Sequence, residues 1–310
     1  MIRSPDAENV LDVVSEQSRR VLETYRVDPG LIREHVNNER RIEQGGYGDR
    51  QIFELVQNGA DELHGSHDGK VAVVLTSTHL YCANEGDPMS AEGAETILRM
   101  SVSRKRGGQI GRFGVGVKSV LTVSDTPQFF SRIDGVEFGF GFDREWSAAE
   151  IRTVSPGAEE TPVLRMATPL DPAQERRDDP VLDELAAWAT TVVRIPLKPG
   201  SHKRLGKDLA DFPVEFPLFS PHVGAVVLDD RRGARPVRRR IHQRVFGDFH
   251  TLTEDRPGGD SVQHEWRVFT RKHAPSDKAL RSAGELHDRP EVDVSWAVPA
   301  GRRERGDFWA

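Results

Sequence analysis

Residues 51–63 read QIFELVQNGADEL, and the arrangement of the whole chain turns on this stretch. At about 100° per residue, Ile52, Val56, Gly59 and Leu63 gather on one helix face, with Leu55 at its edge. Glu54, Asn58 and Asp61 gather on the opposite face. A solvated stripe explains that polar face without any function, since such stripes are ordinary. A functional reading gives each group a task. Asn58 offers a neutral carbonyl oxygen, a suitable single ligand for a magnesium ion held mostly by phosphates and water. Glu54, one turn earlier, is placed to polarise a water for attack on a terminal phosphate. Asp61, a turn on the other way, is placed to accept hydrogen bonds deeper in a pocket.

The flanking sequence extends this helix into a pattern. Upstream, Val10, Val13, Val14, Val21, Leu22 and Tyr25 keep near-helical spacing over residues 7–25 until Asp28-Pro29-Gly30 stops it. A second, polar helix is expected over 31–43. Gly45-Gly46-Tyr47-Gly48 then breaks the chain before the third helix, expected over 49–63. Downstream, KVAVVLT (70–76) and HLYCA (79–83) read as two strands joined at Ser77-Thr78. A helix over 90–100, a polar glycine-rich stretch and a short helix over 117–123 follow. Strands are expected over 129–133, 136–142, 161–166 and 191–197. Residues 171–180 read as a charged loop and 181–189 as a helix. Beyond Pro199, proline and arginine become frequent, with short strands near 223–228, 237–245, 265–269 and 292–298. The expected division is a helical arm over 1–45, a main domain over 46–200 and a β-rich region over 201–310. The chain stops on Gly306-Asp307-Phe308-Trp309-Ala310, an ending expected of a piece of something longer.

Composition narrows the classes. The single cysteine, Cys82, excludes a disulfide framework and a cysteine-rich zinc site. A formal net charge of −6 leaves the whole chain without the basic footprint of a nucleic-acid binder. The arginine-rich stretch 231–244 is the one basic cluster, and the acids around it favour a solvated strand surface. The first ten residues lack the apolar core of a signal peptide, and no apolar run reaches membrane-spanning length. A soluble cytoplasmic protein without membrane contact is the expectation.

Two further segments bear on chemistry. Asn84-Glu85-Gly86-Asp87-Pro88-Met89 follows the second strand directly. A polar side chain at a strand end, a glycine for close backbone approach and an apolar Met89 would suit a slot for adenine. A turn built from turn-forming residues is the plainer alternative. The second segment, Gly107 to Ser119, reads GGQIGRFGVGVKS and opens a helix. Successive glycines there let backbone N–H groups converge on phosphate oxygens, or simply make a mobile loop. The segment is neither a P-loop nor a convincing dinucleotide fingerprint. Lys105, Arg112 and Lys118 flank it and could neutralise phosphate charge.

Taken in this order, the three segments resemble the boxes of the GHKL ATPase superfamily, which includes gyrase-type topoisomerases, heat-shock chaperones, histidine kinases and MutL. Glu54, Asn58 and Asp61 match its N-box. The turn with Asn84, Gly86 and Met89 stands where the family has its adenine box, and Gly111-Arg112-Phe113-Gly114-Val115-Gly116 matches the GxFGxG box. Thr191 matches the family threonine that opens a strand beside the adenine. The texture is most similar to the sacsin-like, chaperone-related branch. Ser103-Arg104-Lys105, the run IGRFGVGVKSVLTVSDTP, Ser131 and EFPLFSPHV (215–223) carry that likeness. Two positions depart from the superfamily. The adenine-reading Asp is Asn84, whose carbonyl still accepts but whose NH₂ needs a partner. The second glycine of that box is Pro88, which stiffens the turn.

The resemblance implies a two-layer α+β sandwich, its mixed, largely antiparallel sheet covered by helices on one face. It implies ATP and Mg²⁺ as cofactors, Glu54 as the base of a slow hydrolysis and Asn58 as the metal ligand. It also implies a glycine-bearing lid over about 93–113 whose closure remodels a surface for a homodimer or a client protein. A nucleotide sensor without turnover is the main alternative. A histidine kinase needs an upstream phosphoacceptor, for which His35 in REHVNNER is the candidate. Its context lacks the usual acidic-then-proline surroundings, so His35 reads as an ordinary surface histidine.

If the glycine box cradles phosphates, Gly114→Val or Gly116→Val should abolish ATP binding and leave the chain folded, because a β-branched side chain occupies phosphate space. Calorimetry together with circular dichroism checks this; undiminished affinity in a folded variant would remove the box from the phosphate site.

Overall fold

The computed structural model describes residues 4–44, 50–63, 68–99, 117–278 and 291–300. Its centre is β1 (Gly69–Leu75), where Val71, Val73 and Leu75 point to one side and Ala72 and Val74 to the other, all buried. Burial on both faces is what a continuous apolar run produces in a central strand. β1 pairs antiparallel with β2 (His79–Asn84) and parallel with β7 (Val223–Asp230).

From this centre, one sheet spreads both ways among the described residues. On the β2 side lie β6 (Thr191–Pro196), β3 (Gln128–Ile133), β4 (Val136–Gly141) and the short β5 (Thr168–Leu170). On the β7 side lie β8 (Val237–Phe246), β9 (Phe249–Asp255), β10 (Ser261–His273) and β11 (Val292–Pro299). All neighbours except β1 and β7 run antiparallel. The α+β class and the largely antiparallel sheet expected from sequence are therefore present. The strands after residue 200 continue the same sheet through the β1–β7 pairing.

Helices cover this sheet on both sides, which corrects the expectation of a single covered face. On the first face, α3 (Gln51–Asp61) and α8 (Ser201–Ala210) pack over β1, β2 and β7 around Ile52, Leu55, Val56, Val73, Leu80, Leu205 and Val226. Beside them, α1 (Pro5–Val27) and α4 (Ala91–Leu98) cover β3 and β4 through Val10, Val14, Leu98, Phe129 and Phe140. Alternate residues Tyr81, Ala83, Phe130 and Val192 face the other way and meet Leu182 and Leu185 of α7 (Pro180–Ala186).

Of the second-face helices, one arises where a charged loop was expected, whereas α7 falls where a helix was expected over 181–189. Asp171 and Asp179 each accept backbone N–H groups at a helix start, and each precedes a proline at the first helical position. This capping arrangement starts α6 (Pro172–Asp178) and α7 in turn. Buried Arg194 of β6 ties both helices down through Glu175, Asp179 (3.0 Å) and Gln128 (2.6 Å). α5 (Arg144–Val154), capped by Asp143, and α8 also form in stretches to which the sequence reading gave no element.

The strand expected over 161–166 is absent, for an identifiable reason. α2 (Gly30–Gln44) delivers the buried carboxylate of Glu39 to this segment, where it accepts N–H bonds from Val163 (2.9 and 3.0 Å) and Leu164 (2.8 Å). A side chain thus satisfies backbone groups that a neighbouring strand would otherwise have to pair. Burial pushes the Glu39 carboxyl up to about 7, against the lowering effect of those N–H donors.

That elevated value has a stability consequence. A carboxyl raised in the folded state favours folding in its protonated form. Its contribution is present below the unfolded value near 4.5 and is lost as pH rises through about 7. Urea unfolding of the wild type should therefore weaken between those limits by roughly 3 kcal/mol relative to Glu39→Gln, which cannot ionise. Parallel pH profiles for the two proteins would show that Glu39 is ionised throughout.

Candidate functional site

α3 lies on the β1–β2 hairpin, with Gly59 at the contact. A Cβ built at Gly59 would stand 3.2 Å from Val71 Cγ1 and 3.5 Å from Asn84 Cβ. The absence of a side chain lets the helix seat directly over the end of β2. Cys82 underlies the same helix, its Sγ 3.4 Å from the Leu55 carbonyl, and burial pushes its thiol up to about 12. It is a core residue, not a nucleophile.

This seating withdraws part of the polar stripe from solvent. Asp61 is only 4% exposed, and Glu54 and Asn58 are half-buried. The stripe is not a freely solvated face. Apolar residues alone do not explain it either, since burying such groups is costly unless they are partnered.

Starting at Asn84, where α3 seats on the sheet, three polar side chains share one rung. Asn84 pairs in register with Thr191, and Thr191 with Ser131. All three are buried and lie on the same face as Cys82, Val193 and Phe129, the face that α3 and α1 cover. Ser131 Oγ lies 2.8 Å from Thr191 Oγ1 and accepts the Met89 N–H at 3.0 Å. The Asn84 backbone carbonyl accepts the Thr190 N–H at 2.8 Å. The rung therefore fixes both ends of the turn 84–89.

The turn itself has defined chemistry. Asn84 Oδ1 accepts the Gly86 N–H at 3.0 Å, an Asx-type turn that leaves the second lone pair of that oxygen for another donor. Glu85 is held to β1, its Oε2 accepting the Lys70 N–H at 3.0 Å, while Lys70 Nζ stands 3.5 Å above the Trp188 ring. Gly86 presses against the end of α3: a Cβ there would sit 2.3 Å from the Glu62 carbonyl oxygen. Its close backbone approach is thus to the protein's own helix. Met89 packs against the apolar cluster of α1, α4, β3 and β4.

Of the glycine box, Gly111, Arg112, Phe113, Gly114, Val115 and Gly116 lie outside the described residues, as do Lys105 and the side chain of Lys118. The 3-10 turn that follows, Val117–Thr122, is described and is clamped from three sides. Gln51 of α3 donates to Thr122 Oγ1 at 2.6 Å and accepts from Arg204 of α8 at 3.1 Å. Lys198 donates through Nζ to the Leu121 carbonyl at 2.5 Å and pairs with Asp125 at 3.1 Å. The exit of the box is therefore held at the N-terminal end of α3, the end that carries Glu54.

Gln51, Thr122, Lys198 and Arg204 escaped the sequence reading. Each is an ordinary polar residue far from the others in sequence, and no spacing signals their meeting. Ser131 was quoted for its likeness alone; its bonds to Met89 and Thr191 give it a positioning role. His35 differs from its expected surface character, being half-buried with Nδ1 2.7 Å from Tyr25 Oη, and burial lowers its pKa to about 4. Among the described residues, no three or more His, Cys, Asp or Glu side chains form a metal-binding group. No helix of the described residues is long and apolar enough to cross a membrane.

No protein-family model matches the chain. It is similar to Protein NO VEIN of Arabidopsis thaliana, 32% identical over 108 residues, which is 34% of this chain and 4% of that protein. The chain thus spans a small fraction of that relative's length.

The fit of Gly86 against α3 is directly measurable. Gly86→Ala forces a backbone shift at Glu62 and should lower stability by about 1–3 kcal/mol in urea unfolding. An unchanged midpoint would show that the turn stands off the helix.

Proposed function

We propose that this protein binds ATP with Mg²⁺ between α3 and the Asn84–Thr191–Ser131 rung, hydrolyses it slowly, and acts as a chaperone-like conformational switch of the GHKL type. The observation that carries the reading is a polar stripe, buried at Asp61 and half-buried at Glu54 and Asn58, on a helix that seats through Gly59 against Asn84 at the end of that rung. The ordered sequence boxes support it from a separate direction.

In this reading the adenine lies along the rung. The free lone pair of Asn84 Oδ1 takes the adenine amino group, Thr191 stands beside it and Met89 forms an apolar wall. The phosphates run toward the N-terminal end of α3, where the glycine box enters. Asn58 supplies a side-chain oxygen to the metal, a neutral ligand suited to an ion that keeps phosphate and water oxygens as its other partners. Magnesium, when bound, neutralises charge on the transferring phosphoryl group. Glu54, one turn earlier on the same face, orients the attacking water and takes its proton. Closure of a lid over 93–113 would couple nucleotide state to a surface that meets a second copy or a client.

Glu54→Ala and Asn58→Ala should separate turnover from binding. Removing the base should lower phosphate release about a hundredfold or more while ATP affinity holds or rises. Removing the metal ligand should instead cost the magnesium-dependent part of the affinity. Phosphate release at the wild-type rate from Glu54→Ala would take the base role from Glu54. A wild type that binds but does not turn over would favour a nucleotide sensor. For base selectivity, Asn84→Asp should keep or strengthen ATP binding in competition with GTP and CTP; a wild-type preference for GTP would remove Asn84 as the adenine reader.

A further inference from the structure

The far end of the sheet carries a surface unconnected with the α3 site. Alternation along β10 sends Trp266 and Val268 into an apolar cluster with Leu218 and Leu252, so Arg267, Phe269 and Arg271 take the opposite face. Register places Phe249 of β9 beside Arg267, and Trp296 of β11 beside Phe269, on that same face. The four side chains form a continuous platform. The Arg267 guanidinium lies 4.6 Å over the Phe249 ring and 5.8 Å over the Phe269 ring, and Phe269 stacks on Trp296 at 5.9 Å. Phe249 is 51% exposed, and Phe246, its register partner at the hairpin tip, is 86% exposed.

The charge of this face is one-sided. Arg244 of β8 joins Arg267 and Arg271 on it, and all three are exposed. None of them pairs with a carboxylate among the described residues, whereas Arg231, Arg232, Arg238 and Arg239 nearer the core do. Of the acids on the same face, Asp255 already meets His242 and Ser261, which leaves Glu265. The sequence reading of the arginine-rich stretch as a solvated strand surface describes the paired arginines. It does not describe this end of the sheet, which β10 and β11 complete.

We infer that the outer face of β9–β10–β11, built on Phe249, Arg267, Phe269 and Trp296 and flanked by Arg244 and Arg271, binds single-stranded nucleic acid. Strands stand about 4.8 Å apart, so the platform runs roughly 10 Å, the reach of two or three splayed bases. The exposed Phe249 and Phe246 rings, with half-buried Phe269 and Trp296 beside them, offer aromatic surface to bases, and the arginines without a carboxylate partner among the described residues offer charge to the phosphates between them. A duplex hides its base faces, and an acidic peptide uses the arginines while leaving the rings without a partner. A single-stranded polyanion bearing flat rings satisfies both halves of the surface.

Fluorescence anisotropy of the full chain with labelled oligo-dT of about twenty nucleotides tests this. Binding should be saturable at low salt and weaken at least about tenfold between roughly 50 and 200 mM salt. Phe249→Ala should weaken it about tenfold, as should Arg271→Glu, and Phe246→Ala severalfold. Phe246 and Arg271 are exposed positions where a substitution leaves the core untouched, so melting curves should match the wild type. ATP affinity should not move with any of these variants, which separates this surface from the α3 site. Absence of oligo-dT binding would overturn the inference. So would equal affinity for the corresponding duplex, displacement by poly-glutamate of matched charge, or wild-type affinity in both Phe246→Ala and Arg271→Glu.

Discussion

The close seating of α3 on the β1–β2 hairpin is the contact on which the rest of the account depends. Gly59 makes it, because any side chain there would crowd Val71 and Asn84. The apolar side of the helix then joins the largest core cluster, and the helix is buried nearly all round. One consequence is that Asp61 is buried and that Glu54 and Asn58 are only partly exposed. A second is that the end of β2, with Asn84, lies against the Gly59 side of the helix. A helix displaced by even a small side chain at Gly59 would lose both relations together, since packed interfaces transmit volume changes.

Around this contact the polar bonds divide the labour. Ser131 and Thr191 fix the turn after β2 from the sheet side, and the Glu62 carbonyl limits it from the helix side. Gln51, Arg204 and Lys198 hold the 3-10 turn against the N-terminal end of α3. On the opposite face, Arg194 anchors α6 and α7 without reaching this region. That ion pair is buried, so removing one partner would leave an uncompensated charge. The second-face helices are thus a structural backing for the strands that carry the rung, distinct from the groups that would meet a ligand.

Much of this was legible in the amino-acid order. The 3.6-residue period marked α1 and α3, and short apolar runs marked β1, β2, β6 and β7. Residues 191–197 were read as a strand, and Thr191 does open β6. What escaped has physical causes. The Asp-Pro pair at 171 was read as part of a charged loop, and the helix expected over 181–189 was started one residue late, although a capping aspartate before an N1 proline is a helix start. Residues 161–166 look like a strand because they are apolar and buried, and only the distant Glu39 shows why they do not pair as one. The parallel β1–β7 pairing joins segments about 150 residues apart, which no local pattern encodes. In the candidate site, the helix stripe and Asn84 were visible from spacing, while the clamp around residues 117–122 exists only in three dimensions.

In the proposed reading, the partly buried polar stripe of α3 and the rung that starts at Asn84 form an adenine-nucleotide pocket. Isothermal titration of the folded chain with ATP, with and without Mg²⁺, tests it most directly. The account predicts one saturable site per chain whose affinity rises when magnesium is added, with ADP binding the same site. Folded protein that takes up neither nucleotide under either condition would contradict it.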